Sequence, residues 1–109
     1  MEPVYIPDLS AGGFVKRVRA WITEASKPLG DNWRCMVTVA EGSFHVRGLA
    51  SEGPDLVIVD VVDDKGAKLV FLGTRDRFLF KIESCAPERS AKQIGYRLDP
   101  PTPEALKEE

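Results

Sequence analysis

His45 is the only histidine in the 109-residue chain, so any histidine-based triad or metal site would have to include it. Arg47 follows two positions later on a predicted strand, where alternate side chains share one face. A histidine beside an arginine could bind an anion such as a phosphate group. No residue near His45 in the sequence completes a triad, so the pair predicts an anion contact or ordinary strand residues, and we predict no catalytic residue.

Three aromatic residues could complete a ligand pocket with this pair. We expect such a pocket, where the chain has one, between the predicted helix and the predicted sheet. The aromatic candidates are Trp21, Phe44 and Tyr96. A pocket of this kind would indicate a small-molecule-binding or enzymatic protein, which is the alternative to the interaction module described below.

The remaining residues that could bind a metal or form a disulfide give weaker signals. Asp60, Asp63 and Asp64 could coordinate a divalent cation, but the spacing of a calcium-binding loop is absent and solvated turn residues explain them better. We therefore predict neither a metal site nor a cofactor. Cys35 and Cys85 are 50 positions apart, which favours buried thiols over a redox or zinc motif and leaves a disulfide open.

Composition restricts the class of protein more than its function. The chain is 43% hydrophobic and 29% charged, with a net charge of −2, which is ordinary for a folded domain and argues against wholesale nucleic-acid binding. The start lacks the pattern of a secretory signal, and no apolar run approaches the length of a membrane span. We expect one cytoplasmic domain over residues 1–109, with no membrane partner.

One amphipathic helix is predicted over residues 14–26, after a Pro- and Gly-rich arm over residues 1–12. Ser10 is a plausible N-cap, and the glycines that follow it would delay the start of the helix to about Gly13. The apolar stripe at helical spacing consists of Phe14, Val18, Trp21, Ile22 and Ala25. This stripe should pack on a sheet, with Trp21 in the core.

Short β-branched and aromatic runs separated by turn signals predict the sheet. The predicted strands are 33–40, 43–50, 56–62, 67–72, 77–83 and a sixth short run at 93–98. The aliphatic run 56–62 should be the central strand, the next two runs should form a hairpin, and Gly48 indicates a bend or bulge. The predicted class is α+β, with a helix on a bent five- or six-stranded antiparallel sheet or a small, partly open barrel, and a frayed tail at 99–109.

This order of elements resembles that of Sm-like proteins, which are small SH3-like barrels that bind RNA. The resemblance covers roughly residues 14–84 and includes the glycine of the second strand. The segments that carry it are 36–42, 46–49, 56–61, 69–72 and 78–82. The family's motifs around the third strand and between the last two strands are absent, so the resemblance implies the fold and does not define an RNA pocket.

The function we expect is that of a non-catalytic interaction module that self-associates. An open sheet leaves unpaired strand edges, which favour pairing with a second copy, and a dimer is the simplest result. The Sm-like resemblance implies an additional contact with single-stranded RNA. The basic side chains that would make this contact are Arg75, Arg77 and Lys81. Neighbouring acidic residues weaken the local positive potential, so we expect nucleic-acid binding to be the less frequent outcome.

Overall fold

The computed structural model describes residues 9–96 and confirms the α+β class. A long N-terminal helix packs on a five-stranded antiparallel sheet. The elements are α1 (Ala11–Ser26), β1 (Trp33–Val39), β2 (Gly42–Glu52), β3 (Leu56–Val62), β4 (Lys68–Thr74), β5 (Leu79–Ser84) and α2 (Ala91–Ile94). Short 3-10 turns occupy Lys27–Leu29, Arg75–Arg77 and Pro87–Arg89. The predictions for residues 1–8 and for the tail lie outside the described residues.

The sheet has the order β4-β3-β2-β1-β5, and all of its pairings are antiparallel. Two predictions are therefore wrong: β2 is the central strand in place of β3, and β4 and β5 form no hairpin. The turn Arg75–Arg77 separates β4 from β5, and β5 crosses to pair with β1. Because β4 and β5 lie at opposite edges and do not pair, the sheet is open and does not close into a barrel.

The central strand is bent at the predicted position. The register between β2 and β3 shifts between Val46 and Gly48, so Arg47 is the extra residue of a bulge. The sixth predicted strand is wrong in its described part, because α2 occupies residues 91–94. Gly95 ends that helix in the left-handed conformation, with a φ of 85°, which glycine adopts without strain.

The helix packs on the sheet with most of the predicted stripe, since Ile22 is buried and Phe14 and Val18 pack against the core. Ser10 is the N-cap, and its Oγ accepts a hydrogen bond from the Gly13 backbone N–H at 3.1 Å, so the helix begins at Ala11. The buried helical residues are Ala11, Gly13, Val15, Ile22 and Ser26. The prediction that Trp21 lies in the core is wrong, since 44% of this residue is exposed.

The core lies between α1 and one face of the sheet. Val57, Val59 and Val61 of β3 are buried on this face, and Phe80 and Ile82 of β5 pack beside it. The other face of β3 and β4 is partly open, and on it β4 exposes large apolar side chains. Among residues 9–96, no helix is long and apolar enough to cross a membrane.

Candidate functional site

A cleft of about 280 Å³ lies where β2, the β3–β4 turn and the segment before α2 meet. It is not the pocket between helix and sheet that the sequence suggested. Its charged and polar lining comes from both predicted and unpredicted residues. The cationic or protonatable side chains are His45, Arg47, Lys68 and Arg89, and the acidic ones are Asp63, Asp64 and Glu88.

His45 lies near the start of β2, opposite Met36 of β1 and Val62 of β3. Only 4% of the residue is exposed, although it is polar. Its Nε2 atom lies 3.3 Å from Oδ1 of Asp64. Its Nδ1 atom is buried and has no hydrogen-bond partner among residues 9–96. Such a buried histidine is held by its surroundings in one orientation, with Nε2 directed at the carboxylate of Asp64.

The β3–β4 turn places Asp64 against His45. The Asp63 side chain organises this turn, because its Oδ1 accepts hydrogen bonds from the backbone N–H groups of Lys65 at 2.9 Å and Ala67 at 2.8 Å. Gly66 has a φ of 85°, which explains the glycine at this corner. Asp63 is therefore used by its own turn, and Asp64 is the residue whose carboxylate reaches the cleft.

Two arginines approach the cleft from different elements. Arg47 projects from the bulge in β2, and its Nε donates a hydrogen bond to the Ile94 carbonyl at 2.9 Å. A Cβ atom on Gly95 would lie 3.4 Å from Nη2 of Arg47, so the guanidinium packs closely on the end of α2. Arg89 comes from the preceding 3-10 turn, and its Nη1 lies 3.9 Å from Oδ1 of Asp64. One carboxylate thus faces both His45 and Arg89.

No family model, curated protein or solved structure matches this chain. The chemistry of the cleft must therefore be judged from its own side chains. A histidine beside a carboxylate resembles part of a hydrolytic triad, but none of the described residues that line the cleft is a serine, threonine or cysteine. Among residues 9–96 there is also no group of three or more His, Cys, Asp and Glu residues that could hold a metal ion. What the cleft does offer is a set of hydrogen-bond donors close to the exposed carboxylate of Asp64, with Glu88 also in the lining.

Of the five residues proposed for a pocket, the structure brings His45 and Arg47 together at this cleft. The three aromatic residues lie elsewhere. Trp21 is on the outer side of α1, and Phe44 packs in the core with its ring centroid 5.1 Å from that of Phe71. Tyr96 lies edge-on to Trp33, with ring centroids 5.5 Å apart. Burial raises the pKa of Tyr96, and its hydroxyl has no hydrogen-bond partner among the described residues.

The basic residues that the Sm-like resemblance suggested do not form one patch with the cleft. Nη1 of Arg75 donates a hydrogen bond to the Leu9 carbonyl at 3.0 Å. Nζ of Lys81 lies 3.3 Å from the carboxylate of Glu83. Both residues lie on β5, which is the edge strand opposite β4. Arg77 lines a separate depression of about 170 Å³ beside Phe78. Two of the three cations therefore have partners within the chain.

Sequence reasoning considered Asp64 only as a possible cation ligand, and it assigned neither Lys68 nor Arg89 to a pocket with His45. A signal for Asp64 was present, because antiparallel pairing of the second and third strands brings the turn after β3 beside the start of β2. Nothing comparable was present for Arg89, which follows β5 and reaches the cleft only through the chain that leads to α2.

Proposed function

We propose that this protein is a non-catalytic interaction module that forms a dimer through the outer edge of β4, which pairs with no strand among residues 9–96 other than β3. The observation that carries this proposal is the exposure of apolar side chains on an edge strand. Val70 is 66% exposed and Leu72 is 59% exposed, and both lie on β4. Monomeric proteins commonly protect such edges with charge, proline or a bulge.

The two edges of the sheet differ in this protection. On β4 the charged residue is Lys68, at the very start of the strand, and the rest of the strand has no proline or bulge. On β5 the outer face carries Lys81 and Glu83, which form an ion pair in the middle of the strand. Charges in the middle of a strand oppose addition of another strand, so β4 is the better edge for pairing.

A second copy of this chain is the partner that fits β4 most simply. In a two-fold antiparallel pairing centred on Phe71, Val70 would lie opposite Leu72 of the second copy. Lys68 would then lie opposite Thr74 of the second copy, so no like charges would meet. Such pairing would extend two five-stranded sheets into one continuous sheet and would bring the exposed apolar side chains of both β4 strands into cross-strand contact.

The cysteines suit a reducing location for this module. Cys35 and Cys85 form no disulfide, and Cys35 is buried. Proteins without disulfides are typical of a reducing compartment, and the cytoplasm is the location we propose.

Light scattering after size-exclusion chromatography, at tens of micromolar protein, tests the proposal. The wild-type chain should have about twice its monomer mass of 12.1 kDa. The double variant Val70→Lys and Leu72→Lys should elute as a folded monomer, as judged by circular dichroism, because it places positive charges at the centre of the pairing. Leu79→Lys is the matched control, since Leu79 is 71% exposed on β5, and this variant should remain a dimer.

Two results would overturn the proposal. A wild-type chain that stays monomeric at that concentration would show that β4 does not recruit a second copy. A dimer that is lost in Leu79→Lys and kept in the β4 double variant would place the interface on the other edge.

A further inference from the structure

In the cleft, the carboxylate of Asp64 makes only long contacts with the nitrogen donors of His45 and Arg89. Charge-assisted hydrogen bonds between nitrogen and a carboxylate oxygen are ordinarily about 2.7–2.9 Å long. Oδ1 of Asp64 lies 3.3 Å from His45 Nε2 and 3.9 Å from Arg89 Nη1, so it sits between the two donors without a close contact to either. The backbone of the β3–β4 turn fixes how far this side chain can reach.

Asp64 is also poorly held. Its side chain is 80% exposed, whereas that of His45 is 5% exposed. An exposed carboxylate can rotate into water at little cost, because water replaces its weak contacts. A buried histidine cannot follow it. The His45 donor is therefore fixed in position, whereas another anion can replace the Asp64 carboxylate as its acceptor.

The other basic groups at the cleft add to this arrangement. Arg47 is anchored through Nε, which leaves its terminal nitrogens for further contacts. Lys68 lines the same cleft and has no ion pair among residues 9–96. Of the acidic groups, Asp63 is occupied by its turn, so Asp64 and Glu88 are the carboxylates that an incoming anion would have to outcompete.

We infer that this cleft binds a phosphate group, which displaces the Asp64 carboxylate and accepts hydrogen bonds from His45 and the arginines. A phosphate group has more acceptor oxygens than a carboxylate and more negative charge at neutral pH. Its tetrahedral shape allows it to contact donors that approach from three elements at once. The volume of about 280 Å³ leaves space for a small organic group beyond the phosphate. This site does not depend on the proposed dimer.

Titration with inorganic phosphate, followed by two-dimensional amide NMR at pH 7 and constant ionic strength, tests the inference. We expect saturable shifts confined to the cleft, with a dissociation constant in the millimolar range. A parallel titration with glycerol phosphate shows whether the site prefers free phosphate or a phosphate ester. The site should bind both, and the preferred ligand should have the lower dissociation constant. Sodium chloride added to the same ionic strength should not reproduce the shifts.

Variants make the test specific. Arg89→Gln should weaken phosphate binding about tenfold, because it removes a charge-assisted hydrogen bond. Asp64→Asn should strengthen it several-fold, since it removes the competing negative charge. Both side chains are largely exposed, so both variants should fold, and Asp55→Asn, an exposed acidic residue in another turn, is the matched control for the second.

Arg89→Gln and Asp64→Asn should change phosphate affinity in opposite directions, which separates binding at the cleft from general screening of charge by salt. Absence of saturable shifts up to about 20 mM of either phosphate would overturn the inference. Equal affinity of Asp64→Asn and Asp55→Asn would also overturn it, because the site would then contain no carboxylate for phosphate to displace.

Discussion

The most direct test of how the helix packs compares Ile22→Ala with Trp21→Ala. Ile22 is fully buried, whereas Trp21 is 44% exposed, although the two are adjacent in sequence. Removing the outer carbons of Ile22 loses about 0.8 kcal/mol for each methylene-sized group and leaves a cavity under α1. We expect Ile22→Ala to lower the free energy of unfolding by about 3–4 kcal/mol.

Trp21→Ala should cost much less than a buried tryptophan would suggest. A fully buried tryptophan loses about 3–5 kcal/mol on truncation to alanine, and nearly half of this residue is in solvent. Alanine is also the better helix former, which offsets part of the loss. The expected cost is about 1 kcal/mol.

Urea denaturation followed by far-ultraviolet circular dichroism measures both variants. All samples should have the same protein concentration, because dimerisation would couple the midpoint to it. Trp33 remains in both variants as a fluorescent reporter of the core. A cost of Trp21→Ala equal to or greater than that of Ile22→Ala would refute the observed exposure of Trp21 and support its predicted burial in the core.

Three further predictions follow from the charged and ionisable groups. Burial raises the pKa of Cys35 to about 12, so a thiol reagent at pH 8 should modify Cys85 in the native protein and reach Cys35 only on unfolding; equal rates would contradict this. Burial acts to raise the pKa of Glu83, but hydrogen bonds from Arg34 and Lys81 outweigh it and lower that pKa. This stabilisation is present above the ordinary pKa of Glu83 and disappears as the pH falls through the lowered value, so Glu83→Gln should flatten the loss of stability in acid denaturation curves. A gel-shift assay with labelled single-stranded RNA at low salt should show no binding. A shift that disappears when three basic residues are replaced by glutamine would contradict this prediction. Those positions are Arg75, Arg77 and Lys81.

Much of the fold could be predicted because local sequence patterns determine it. Turn residues separate the five strands, and glycine beside the bulge marks the bend in β2. Strand order could not be predicted in the same way, because pairing between distant strands has no local signal. A short connection suggested that β4 and β5 form a hairpin, but β5 pairs with β1, where Phe80 lies opposite Val37 and Ile82 opposite Cys35. This pairing places the apolar face of β5 against the core.

The contact face of α1 was predicted in part, because the stripe included the buried Ile22 but also the exposed Trp21, and it left out the small residues. Burial at a close helix–sheet contact also favours small residues, which permit the backbones to approach. Ala11, Gly13 and Ser26 are buried, and a Cβ atom on Gly12 would lie 3.5 Å from the Ser51 hydroxyl. A helical wheel weighted by hydrophobicity does not recognise small or polar residues as contact positions.

The cleft and the proposed dimer edge meet at Lys68, which begins β4 and also lines the cleft. The same turn that directs Asp64 toward His45 therefore sets the position of the edge strand. In the two-fold pairing, Lys68 would lie beside Thr74 of the second copy. This contact would change the distance between the Lys68 ammonium group and the cleft. Binding free energies obey reciprocity, so phosphate must change the dimerisation constant by the factor by which dimerisation changes phosphate affinity. The wild-type chain, diluted until it is monomeric, supplies the uncoupled phosphate affinity against which that factor is measured.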